Sequence, residues 1–71
     1  MKDLMFYKAF GRKVRILREP LMSQELLASA LGMSRTNLVN IEAGRQQVSI
    51  ATANAIARRL GVRLADLLGE E

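Results

Sequence analysis

Gln24–Arg45 reads QELLASALGMSRTNLVNIEAGR, and the order of residue types in it decides the fold. Ser23, one position ahead, suits an N-cap, because a serine oxygen accepts from the unpaired N–H groups of a first helical turn. Leu27, Ala28 and Leu31 then recur at helical spacing as an inward stripe. Gly32 follows, where a left-handed residue would stop that helix. Ser34 can cap a further helix, with Leu38 and Ile41 facing inward and Gly44 closing it. A connection as short as Gly32-Met33-Ser34 cannot reverse the chain, so the two helices must cross widely, at roughly 90–120°. Ala28 sits where they cross, and a larger side chain there would push them apart.

The outward face of the second of these helices carries Arg35, Thr36, Asn37 and Asn40. A merely solvated helix would use Glu, Lys and Gln, which favour helix more than Thr and Asn do. Hydrogen-bonding tips on short or forked stems suit the reading of another molecule. Glu42 is out of place in such company unless something pairs it.

Working outward, Phe6, Phe10, Val14 and Leu17 form one face of a first helix from about Leu4 to Glu19, with Arg and Lys opposite. Pro20 ends it, since the residue before a proline avoids the helical region. Ser49 suits the cap of a fourth helix whose buried face is Ala53, Ile56, Ala57 and Leu60. Gly61 stops it, and Leu64, Leu67 and Leu68 make a short fifth. No stretch alternates apolar and polar residues long enough for a strand. The small residues of ATANAIA, 51–57, permit close helix packing and do not form a linker. The expectation is an all-α fold, one domain over residues 1–71.

The totals agree. Apolar residues make up 49% of the 71 and aromatics only 4%, so the core must be built from Leu, Ile, Val and Ala. So small a core usually needs a staple or a partner subunit. There is no Cys and no His, which removes disulfides, thiolate chemistry and most zinc or iron sites. Idealised helix packing or a second copy of the chain remains, and no cofactor, metal or small-molecule ligand is expected. Charge is +4, from 11 Lys and Arg against 7 Asp and Glu. Lys8, Arg12, Lys13, Arg15 and Arg18 crowd one early segment, whereas Asp66, Glu70 and Glu71 make an acidic end. A basic body suits a polyanion partner. No apolar run approaches the ~20 residues of a membrane span, and no signal peptide is legible, so a cytoplasmic location is expected. Without His, Cys or a GxxxxGK[ST] loop, and with Glu25, Glu42 and Asp66 scattered over different helices, an enzyme is disfavoured.

QELLASALGMSRTNLVNIEAGR, with VRILRE before it and IARRLGVRLADLL after it, resembles the phage-repressor (Cro and C1-type, or xenobiotic-response-element) helix-turn-helix family. The resemblance runs from about Phe10 to Leu68, with the motif at about 23–43. It implies a compact five-helix, lambda-repressor-like DNA-binding domain, commonly dimeric, whose helices 2 and 3 form the helix-turn-helix. The implied function is that of a sequence-specific regulator of transcription, a repressor on a palindromic operator. Alternatives are an antitoxin, a restriction-modification controller, and a protein-interaction module that keeps the fold without binding DNA.

In such a motif the second helix enters the major groove with its N-terminal residues at base edges. The resemblance therefore makes Arg35, Thr36 and Asn40 the base readers. Arg can pair bidentately with guanine and Asn with adenine. Gln24 would touch a phosphate at the start of helix 2, where unpaired N–H groups favour an anion. Ser23 would serve the same phosphate or, by preference, cap. Arg45, Gln46 and Gln47 would run along the DNA backbone, and Asn37 would touch phosphate or only water. A Glu at position 42 often pairs in this family with an Arg late in helix 1, so an Arg18–Glu42 ion pair is expected. Family dimers often form through the end of helix 4 and helix 5, which nominates Val62, Arg63, Leu64 and Leu68. The sequence departs from the family in a shorter corner after helix 1, in Arg63 where a capping residue often stands, and in apolar Leu26 at a commonly polar position.

Overall fold

Serine oxygens start three of the helices of this chain, and glycines end their turns. A computed structural model describes residues 2–69, with side chains from Met5 onward; Glu70 and Glu71 of the acidic end lie outside the described residues. Five helices follow in order: α1 (Lys2–Arg18), α2 (Gln24–Leu31), α3 (Arg35–Glu42), α4 (Ile50–Leu60) and α5 (Leu64–Leu68). No strand occurs among the described residues. Ser23, Ser34 and Ser49 are extended N-caps whose side chains accept from the N–H groups of Leu26, Asn37 and Thr52. Each cap satisfies one donor that the first helical turn leaves unpaired.

The ends are as specific as the starts. Gly32 has φ +72°, with its own N–H on Ser29 and that of Met33 on the Ala28 carbonyl. This paired closure is the Schellman motif. At the end of α3 the cap is Ala43, still right-handed, and Gly44 beyond it takes the left-handed turn at φ +74°. α1 stops at Arg18, one residue earlier than expected, and the N–H groups of Leu21 and Met22 turn back onto its carbonyl around Pro20. Arg63 caps α5 without a suitable oxygen, and the Asp66 carboxylate accepts the Arg63 N–H at 3.0 Å instead.

The core joins Phe10 and Val14 of α1, Leu27 and Ala28 of α2, Leu38 and Ile41 of α3, four residues of α4 (Ala53, Ile56, Ala57 and Leu60) and Leu67 of α5. Leu17, Leu31 and Leu64 pack against it half-buried. Two stripe residues depart from expectation: Phe6 is 44% and Leu68 36% exposed. The cause is the length of α5, whose five residues are too few to cover the groove between it and α1. Met5, Phe6, Ile16 and Leu68 line that groove. Leu26, the apolar residue at a commonly polar position, is exposed, whereas Val39 is half-buried.

Among the glycines, Gly11 makes the closest approach to another element. A Cβ there would stand 2.2 Å from the Ile41 carbonyl oxygen and 2.6 Å from that of Glu42. α1 therefore lies directly on the last carbonyls of α3, and nothing bulkier than hydrogen fits. Among the described residues no helix is long and apolar enough to cross a membrane.

Candidate nucleic-acid interface

α3 is held from behind and open in front. Leu38 and Ile41, with Glu42, are buried, while Arg35 and Thr36 in the first turn are exposed. Among the described residues neither Arg35 nor Thr36 makes a side-chain hydrogen bond to the protein. Because Ser34 caps only Asn37, the N–H groups of Arg35 and Thr36 have no intrahelical acceptor. The front of α3 is thus a set of free donors with a guanidinium beside them. Asn37 and Asn40 are half-buried on the same helix.

Behind that face lies a buried charged cluster. Arg18 Nε donates to Glu42 Oε2 at 2.6 Å and Nη2 to Oε1 at 3.2 Å, a two-pronged pair joining the end of α1 to the end of α3. Arg18 and Glu42 are only 6% and 8% exposed. Arg18 Nη1 donates to the Met22 carbonyl at 2.9 Å, which also holds the corner before α2. Gln24 Nε2 completes the arrangement at 2.9 Å from Glu42 Oε1. Every buried side-chain polar atom among the described residues has a partner, which is what makes such a cluster tolerable in a low dielectric. Glu42's charge is thereby spent inward, away from any anion at the front.

The start of α2 opens into a shallow cleft lined by Arg15, Ser23, Gln24, Glu25 and Arg35. Ser23 Oγ is committed to the Leu26 N–H at 3.1 Å, so the N–H groups of Gln24 and Glu25 remain available to an anion. Gln24 gives one amide hydrogen to Glu42 and keeps its oxygen and second N–H. Arg15 pairs with Glu19 at 3.0 Å, both side chains exposed.

Beyond α3, Arg45 is exposed and turns back on the helix. Its backbone N–H donates to the Asn40 carbonyl at 2.9 Å, and its Nε donates to Asn40 Oδ1 at 3.2 Å. Gln46 is half-buried and Gln47 exposed in the same loop. Sequence reasoning placed Asn40 and Arg45 in separate roles and missed their contact. The signal was present in Asn40 and Gly44-Arg45, since a glycine closure brings the residue after it back over the last turn. Gly11 was also missed; a glycine inside an otherwise periodic helix is costly enough to mark a close approach.

Residues 13–67 match the model of the helix-turn-helix family. Control protein C.BamHI of Bacillus amyloliquefaciens is 43% identical over 61 residues, covering 83% of this chain and 75% of that protein. The immunity repressor protein of Bacillus phage phi105 is 34% identical over 62 residues, 86% of this chain but 43% of its own length. Among solved structures, the restriction-modification controller protein C.AhdI from Aeromonas hydrophila superposes with a TM-score of 0.85 at 28% identity, over 94% of this chain and 99% of that one.

Proposed function

The chain belongs to the helix-turn-helix family, and from that premise we propose that it is a sequence-specific DNA-binding regulator of transcription, a homodimeric repressor acting on a palindromic operator. The carrying observation is the front of α3, where Arg35 and Thr36 stand exposed on a helix locked from behind by Leu38, Ile41 and the Arg18–Glu42 pair. In this reading Arg35, Thr36 and Asn40 meet base edges in the major groove. Gln24 with the free N–H groups of α2, and Arg45, Gln46 and Gln47 beyond α3, meet phosphates. Asn37 faces the same backbone. Ser23 serves as a cap, because its oxygen is already engaged.

Several features support the dimer. The core is small, and the groove between α1 and α5 leaves Met5, Phe6, Ile16 and Leu68 uncovered. A second copy meeting that face, together with Val62, Arg63 and Leu64, would bury it. The protein works where DNA is, in the cytoplasm, and has no catalytic role. A relative named as a control protein and a structural neighbour named as a restriction-modification controller favour a controller as the second reading within the same class.

Titrating duplex DNA at several salt concentrations tests the proposal. Log affinity should fall linearly against log salt with a slope near −0.9 for each phosphate neutralised. A flat profile would instead favour a protein-interaction module that retains the fold without binding DNA.

A further inference from the structure

Asn40 and Arg45 are tied together twice, by Arg45 N–H on the Asn40 carbonyl at 2.9 Å and by Arg45 Nε on Asn40 Oδ1 at 3.2 Å. The first tie belongs to the closure of α3 around Gly44. Gly44 cannot drift, because a Cβ there would stand 2.6 Å from the Lys8 Cα of α1. The loop carrying Arg45 is thus fixed by backbone, and its guanidinium is delivered to the side of Asn40.

This tie decides which way the Asn40 amide faces. A guanidinium offers only donors, so the amide must turn its oxygen to Arg45 and keep its two N–H donors for whatever lies in front. We infer that Arg45 is a positioning residue that makes Asn40 a reader of guanine and not, as an unassisted asparagine would be, of adenine. Bidentate pairing with adenine needs the amide oxygen to accept from N6 while the nitrogen donates to N7. Here one of that oxygen's two lone pairs is already engaged by a cation, which turns the oxygen towards Arg45, and the positive charge beside it repels the N6 amino group. Guanine presents O6 and N7, both acceptors, to amide donors with a positive charge alongside. The remaining guanidinium N–H groups of Arg45 stay free for phosphate, so the residue joins backbone contact to base choice.

The inference rests on Asn40 facing bases as proposed above, and the experiment separates the two. Duplex selection and competition binding would be run on the wild type, Asn40→Ala, Arg45→Ala and Arg35→Ala, each checked for unchanged thermal unfolding. The base pair whose preference Asn40→Ala erases marks its partner. At that position the wild type should prefer guanine over adenine by about tenfold or more. Arg45→Ala should weaken binding to every sequence and also bring that ratio towards parity or reverse it. A wild-type preference for adenine there would overturn the inference, as would an Arg45→Ala loss that is uniform across sequences. If no position responds to Asn40→Ala while Arg35→Ala still shifts one, this inference fails and the DNA-reading proposal stands. If no variant alters any preference, both fail.

Discussion

At the scale of single residues, Arg35 and Glu42 show how one short helix divides its labour. Arg35 stands at the exposed first turn without a side-chain partner among the described residues, which leaves its guanidinium open to a bidentate contact. Arg35→Ala should cost about 1–3 kcal/mol on the preferred site and relax selection at one base pair. Competition binding against single-base variants checks this, and an equal loss on all sequences would make Arg35 a phosphate contact. Glu42 is the opposite case, buried and held by Arg18 and Gln24. Glu42→Ala leaves the Arg18 cation buried and unpaired, a loss of about 3–5 kcal/mol in urea unfolding. The double change Arg18→Met with Glu42→Leu should recover most of that loss, since desolvation nearly cancels the attraction of such a pair. A loss below about 1 kcal/mol for Glu42→Ala, the value of a surface pair, would show that the cluster opens to water.

At the scale of elements, α1 and α5 carry the sharpest tests. Gly11→Ala adds a Cβ against the Ile41 and Glu42 carbonyls, and these are backbone atoms that cannot step aside. Although alanine favours helix, this change should destabilise by about 1–3 kcal/mol through overpacking, measured by denaturant midpoint. A gain in stability would mean that α1 does not rest on α3 as described. α5 depends on the Asp66 carboxylate. Accepting the Arg63 N–H holds its pKa below the ordinary 3.8, with the Arg63 side chain and Lys13 acting the same way and partial desolvation opposing. A depressed pKa means that the stabilisation is present above the unfolded-state value and disappears as pH falls through the lower folded value. Acid titration followed by amide exchange in α5 should therefore show its opening below pH 3.8, and Asp66→Asn should remove that pH dependence.

The elements were legible because serine caps, glycine stops and apolar spacing all pointed the same way. Ser23, Ser34 and Ser49 mark three starts, and Gly32 and Gly61 two stops, as local chemistry requires. What the pattern did not reveal depended on tertiary approach. Phe6 satisfies the helical stripe, yet α5 ends too soon to cover it. Whether Gly11 was tolerated or required depended on what crosses it. The Arg18–Glu42 expectation came from a family resemblance, whereas Gln24 on Glu42 and Arg45 on Asn40 depend on side chains meeting across elements. Neither contact leaves a periodic trace.

At the scale of the whole molecule, the described residues span 31 × 23 × 21 Å, comparable to the width of a duplex and its grooves. Arg15 of α1, the start of α2 and the loop after α3 supply cations and N–H groups near the front of α3, while the groove between α1 and α5 leaves Met5, Phe6, Ile16 and Leu68 uncovered. Two copies related by a twofold axis would present two reading helices about 34–36 Å apart, one turn of DNA. The most direct test is selection of bound fragments from random duplexes by the full chain, with the stoichiometry of the selected complex measured by sedimentation. The account predicts a symmetric site with half-sites centred about 10–10.5 base pairs apart, or a multiple of that, occupied by two chains. Recovery of fragments without a shared sequence, or of a sequence whose selection does not change in Arg35→Ala, would contradict it.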